Sequence, residues 1–142
     1  MPPLHRKRCK RYDVPGDAHF LTFSCDGRRP YLGRDRTRQW MLEAISMCRE
    51  RQLFKLWAYV IMPEHVHLLI CPRGETYSIS EILRSIKQPV SRRAVLYLQE
   101  YNPDGLVWIA TGQRGTPYRF WQAGGGYDRN ITCAETVTQV AQ

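Results

Sequence analysis

The chain has 142 residues, 43% of them hydrophobic, and carries a formal net charge of +8 with a pI of about 9.5. That size fits a single domain, residues 1–142, with enough apolar material for a real core. No apolar run reaches the length of about 18 residues that a membrane span needs, and the basic start lacks the apolar segment of a signal peptide. The charge favours a polyanionic partner, most simply nucleic acid, over a generic basic surface.

Five cysteines (Cys9, Cys25, Cys48, Cys71, Cys133) are scattered, odd in number and without a Cys-x-x-Cys pair. They argue against disulfide and zinc-finger frameworks and for a reducing compartment. Residues 1–16 read as an extended basic arm, with Pro2-Pro3 and Pro15-Gly16 around Arg6-Lys7-Arg8-Cys9-Lys10-Arg11. The arm either orders on DNA, with Arg6, Lys7, Arg8 and Arg11 on phosphates, or serves as a solubilising tail. From Ala18 to Cys25, Phe20, Thr22 and Ser24 alternate with Leu21, Phe23 and Cys25, the pattern of a strand. Asp26-Gly27 follows as a turn. Asp35 to Arg51 reads as a helix whose stripe of Trp40, Met41, Ala44, Ile45 and Cys48 belongs to the core, with Met47 at its edge. Arg34, Arg36 and Arg38 form a second basic cluster.

Phe54–Met62 and His65–Cys71 read as two strands of a buried sheet, joined by a tight hairpin at Pro63-Glu64. In a strand, alternate side chains share a face, so His65 and His67 project together and Val66 points the other way. Two readings stand side by side. The imidazoles are either a pair of metal ligands on a rigid strand, or structural histidines each satisfied by a neighbour.

Ser78-Ile79-Ser80-Glu81 has the capping-box pattern and opens a second helix, with Ile79, Ile82, Leu83, Ile86 and Val90 as its apolar face. Pro89 is expected to kink or split this helix, which continues to about Tyr101. Lys87, Arg92 and Arg93 give it a third basic cluster. Asn102 to Gly105 is a turn and Leu106–Ala110 a short strand. Between Thr111 and Gly126, glycines punctuate a segment in which Tyr118, Phe120 and Trp121 interleave with Arg114 and Arg119. Such a segment either stacks unpaired bases and holds phosphates, with Arg119 and Trp121 as contacts, or is a loop pinned by its own aromatics. Thr132-Cys133-Ala134-Glu135 is a second capping box. It starts a helix at about residue 133, with Val137, Val140 and Ala141 on one face, that is cut short at Gln142.

The order strand, helix, hairpin, helix, strand predicts an α+β fold, a ferredoxin-like antiparallel sheet with helices on one face. The stretch Tyr59-Val60-Ile61-Met62-Pro63-Glu64-His65-Val66-His67-Leu68-Leu69 resembles the signature of the single-tyrosine HUH transposases. It is most similar to their REP-associated tyrosine transposase branch. Ser85-Ile86-Lys87, Phe120-Trp121-Gln122 and Tyr127-Asp128-Arg129-Asn130-Ile131 carry the same resemblance, from about His19 to the end. Glu64 stands where many members have Asn, which bears on the local turn.

The resemblance implies an HUH endonuclease domain that holds one divalent ion, Mg²⁺ or Mn²⁺, on His65 and His67. The ion polarises the scissile phosphate. It also implies hairpin or single-stranded DNA as partner, with a homodimer as a further expectation, and a cytoplasmic, nucleoid-associated bacterial protein. The nucleophile in that branch is a tyrosine opening a Tyr-Ile-x-x-Asn-Pro segment, expected here just beyond Gln142. It retains the 5′-phosphate as an ester and releases a 3′-hydroxyl. Tyr97, Tyr101 and Tyr127 do not match its position, so the 142-residue chain is expected to bind DNA without cutting it. The competing readings are a non-cleaving hairpin-binding module and a metal-dependent phosphodiesterase with a water nucleophile.

Overall fold

A computed structural model describes residues 12–131, so the basic block with Arg6, Lys7, Arg8 and Arg11 and the helix expected from about residue 133 lie outside the described residues. Four strands form one sheet: β1 (Ala18–Ser24), β2 (Phe54–Ile61), β3 (His65–Pro72) and β4 (Tyr127–Ile131). Two helices, α1 (Asp35–Glu50) and α2 (Ile79–Tyr101), complete the layer architecture. The strand order is β2-β3-β1-β4 and every pairing is antiparallel, which is the expected ferredoxin-like arrangement.

Alternation in the two central strands decides which face the helices cover. Leu21 and Phe23 of β1, with Val66, Leu68 and Ile70 of β3, are all buried. They share one core with Met41, Ala44, Ile45 and Cys48 of α1 and Ile79, Ile82, Leu83, Ile86 and Val90 of α2. Slipping β3 by one residue would turn His65 and His67 into this core and Val66 out, so burial of the aliphatic set fixes the register. Both helical stripes read from the sequence are the buried ones, and Met47 is exposed. The Ser78 hydroxyl accepts the Glu81 amide at 3.3 Å, half of a capping box.

Three expectations are corrected. First, Pro89 does not split α2, which runs from Ile79 to Tyr101 as one helix. Ile86 and Val90, on either side of the proline, are both fully buried. Their anchoring offsets a proline penalty of about 3 kcal/mol. Second, Leu106–Ala110 is not a strand. Pro103–Trp108 forms a 3-10 turn with Pro103 at its start, and Ala110 makes only a single bridge to Tyr118. The fourth strand is Tyr127–Ile131 instead. Third, β2 is not buried on both faces. It is an edge strand, and Trp57, Tyr59 and Val60 are each about half exposed.

A buried polar cluster ties β4 to the sheet. His19 is fully buried, with Nδ1 donating to Asp128 Oδ1 at 2.7 Å. Its Nε2 lies 2.8 Å from the Tyr77 hydroxyl, which itself donates to the Val14 carbonyl. Burial, followed by the charges of Asp13, Asp17 and Asp128, pushes Tyr77 up to about 12 and keeps that hydrogen in place.

Candidate functional site

His65 and His67 lie on β3, on the face away from α1 and α2. His65 pairs with Ser24 of β1, and His67 lies between Thr22 of β1 and Val60 of β2. The two Nε2 atoms are 2.9 Å apart, with the rings edge-on at 84°. Each outer nitrogen has its own partner: His65 Nδ1 is 3.0 Å from Glu64 Oε1, and His67 Nδ1 is 2.9 Å from Thr22 Oγ1. Phe20 stacks on the His67 ring at 5.6 Å between centroids. Both histidines are partly exposed, and a small cavity of about 100 Å³ bordered by Phe20, Ala58, Val60 and His67 opens beside them.

These contacts set the tautomers. A carboxylate only accepts, so His65 carries its hydrogen on Nδ1 and, when neutral, presents a lone pair at Nε2. His67 Nε2–H then donates to that lone pair, and the Thr22 hydroxyl donates to His67 Nδ1. Rotating the Thr22 hydroxyl turns it into an acceptor, so the His67 hydrogen can sit on Nδ1 and both Nε2 lone pairs face the same point. Burial, then the neighbouring His65, lowers the pKa of His67 and favours its neutral, ligating form.

The donor set fits one divalent ion. Two ligands at about 2.1 Å from an octahedral ion stand about 3 Å apart, close to the separation of the two nitrogens. Among the described residues, no group of three or more His, Cys, Asp or Glu converges anywhere, so the pair is a two-ligand set. Among the described residues, the cysteines take no part. Cys25, Cys48 and Cys71 are free thiols, and burial pushes Cys25 up to about 12, far from a thiolate.

The residues expected on DNA separate into groups. Lys87 and Arg119 meet across a groove between α2 and the segment 116–125, joined there by Arg84, which the sequence reading had not singled out. Arg92 is exposed on α2 and does not line that groove, and Arg93 is ion-paired to Glu43 of α1. Trp121 lines the same groove. Its ring is only 6% exposed and packs edge-on against Phe23, and its indole donates to the Lys87 carbonyl at 2.9 Å. It backs the groove from within the core.

Glu64, Thr22 and Phe20 were not predicted as site residues. Glu64 was legible as a carboxylate adjoining His65. Thr22 and Phe20 are distant in sequence and reach the site only through the β1–β3 register.

A ferredoxin-like sheet with a His-hydrophobic-His pair on a central strand and both helices on the other face is an HUH-type domain. Residues 17–108 match the family described as "Transposase IS200 like", and the chain belongs to that family. Its fold is similar to that of a REP-associated tyrosine transposase solved with a REP hairpin, with a TM-score of 0.67 and 20% identity over 95% of this chain and 68% of that one. It is also similar to a Deinococcus radiodurans R1 protein described as a transposase, with a TM-score of 0.55 and 18% identity over 96% of this chain and 92% of that one. Among curated proteins, none matches the chain.

Proposed function

We propose that this chain is a DNA-binding, metal-dependent domain of the single-tyrosine HUH type that engages hairpin or single-stranded DNA and prepares one phosphate for strand transfer. One observation carries the reading: two imidazole nitrogens 2.9 Å apart on one strand, each ring held by its own second partner, in a member of a transposase family. The structural neighbour solved on a REP hairpin supports the choice of DNA.

His65 and His67 would hold Mg²⁺ or Mn²⁺, which supplies Lewis-acid polarisation of a phosphate oxygen. Glu64 fixes the ring of His65 and keeps its hydrogen on Nδ1. Thr22 does the same for His67 by switching from donor to acceptor. Phe20 packs on one face of His67 and shields it from water. In this class the reaction is transesterification: a tyrosine oxygen bonds to phosphorus, the P–O3′ bond breaks, and the 3′-oxygen leaves with a proton. Among the described residues, no tyrosine hydroxyl bonds to His65 or His67, so the nucleophile is assigned to none of them.

The test measures Mn²⁺ binding by calorimetry and binding of a labelled DNA hairpin by anisotropy. The expected result is one ion per chain, lost in both His65→Ala and His67→Ala, with hairpin affinity that rises on adding metal. Equal Mn²⁺ binding by wild type and both variants, or no hairpin binding by wild type at low salt, would overturn it.

A further inference from the structure

A cavity of about 240 Å³ opens in the helix layer, across the sheet from His65 and His67. It lies between the start of α1, the C-terminal third of α2 and the Pro103–Trp108 turn. Tyr31, Trp40, Tyr97 and Trp108 line it, together with Arg34 and Arg36. Among the described residues, no carboxylate does so, and the acid between the two arginines in sequence, Asp35, is paired with Arg38 at 2.7 Å. The Arg36 guanidinium rests over the Tyr97 ring, 4.0 Å from its centroid, which holds the charge beside the cavity. The Tyr31 hydroxyl donates to the Trp108 carbonyl at 2.7 Å and so fixes the turn that carries the indole. Trp108 is more than half exposed, and so is Tyr101, whose ring leans on Tyr97.

We propose that this cavity is a docking site for another protein, one that offers an acidic segment with a single large apolar side chain as anchor. The volume falls below the roughly 300–1,000 Å³ of sites for small organic ligands, so the cavity takes one side chain rather than a whole ligand. Exposed Trp and Tyr beside Arg are the residues that carry most binding energy at protein interfaces. Two arginines with no carboxylate among the lining residues call for acids on either side of the anchor. A second copy of this chain is a poor occupant, because each copy has a net charge of +8 and brings the same arginines. Nucleic acid is a poor one too. Trp40 meets Tyr97 at 61° and Tyr97 meets Tyr101 at 38°, so the rings grip an inserted side chain rather than give a base a flat platform. None of these residues belongs to the histidine site, and a partner docked here leaves the histidine face of the sheet open.

The probe is a display library of short random peptides panned on the full chain. The expected result is enrichment of acidic sequences that carry one Trp, Phe or Leu. The strongest of them, made with a fluorophore, is titrated by anisotropy against wild type, Trp108→Ala and Arg34→Glu/Arg36→Glu, with fold checked by circular dichroism. Each variant should bind it about tenfold more weakly or worse. The same peptide with its acids replaced by lysines should prefer Arg34→Glu/Arg36→Glu over wild type, a reversal that misfolding cannot produce. Trp108→Ala should bind hairpin DNA as wild type does.

No enrichment, or enriched peptides that are basic or that bind both variants as tightly as wild type, would overturn the docking site. Sensitivity to only one of the two variants would leave an anchor without charge, or charge without an anchor, and overturn it as well. Loss of hairpin binding in Trp108→Ala would make the cavity a nucleic-acid contact. A dimer in sedimentation that Trp108→Ala splits would make it an interface between copies. Either result defeats the acidic partner.

Discussion

Thr22 decides what His67 can do. Its hydroxyl lies 2.9 Å from His67 Nδ1, and it can donate or accept. Thr22→Val keeps the shape of the side chain and removes that choice. We expect Mn²⁺ affinity to fall by about tenfold, at the lower end of what loss of a ligand's orienting partner costs, with the circular dichroism spectrum unchanged. Calorimetry on the two proteins decides it, and equal affinities would mean that Thr22 does not orient the ring. The same histidine sets a pH dependence. Its folded pKa lies below the ordinary value of 6.5, so the unfolded chain takes up the proton more readily. The contribution is fully present above 6.5 and is lost as pH falls from there through the folded value. Metal-free protein should therefore unfold at lower urea at pH 5.5 than at pH 7.5, and His67→Gln should flatten that difference. An identical decline in both proteins would assign it to other groups.

At the level of elements, β4 is held by polar anchoring as much as by strand propensity. Tyr-Asp-Arg-Asn-Ile contains two poor strand formers, Asp128 and Asn130. Asp128 meets the buried His19, and Asn130 donates to Asp17 Oδ2 at 3.0 Å. Asp128→Ala leaves a buried ring nitrogen of His19 without its partner and should cost about 1–3 kcal/mol in urea unfolding, while His19→Phe/Asp128→Leu, which removes both partners, should recover much of that. A loss below about 1 kcal/mol for Asp128→Ala would show that the cluster is solvated. Helix α2 was legible for the opposite reason. Its cap and its apolar face are local patterns, whereas the effect of Pro89 depended on what the helix packs against.

At the level of the whole molecule, the charge of +8 is spread over several basic clusters, of which Lys87, Arg119 and the added Arg84 converge in one groove. If phosphate contacts dominate, log K for hairpin DNA should fall linearly with log salt, with a slope of several units. Affinity unchanged between low and physiological salt would contradict a polyanionic partner.

What the sequence determined by itself was everything that depends on near neighbours. The i, i+2 spacing of His65 and His67 places them on one face of any strand, and the alternation of β1 and β3 chooses which face the core takes. Two helical stripes and three of the four strands were legible, but the fourth strand was placed at Leu106–Ala110 and lies at Tyr127–Ile131. Only the tertiary structure decided the rest, because it depends on pairs far apart in the chain. The β1–β3 register brought Thr22 and Phe20 to His67, and His19 found Asp128 across 109 positions. Packing on Phe23 set most of Trp121 into the core. An aromatic beside arginines looks the same in sequence whether its ring faces solvent or the core. The difference lies in which apolar surface is near enough to cover it, and that is settled only when the sheet and helices close on one another.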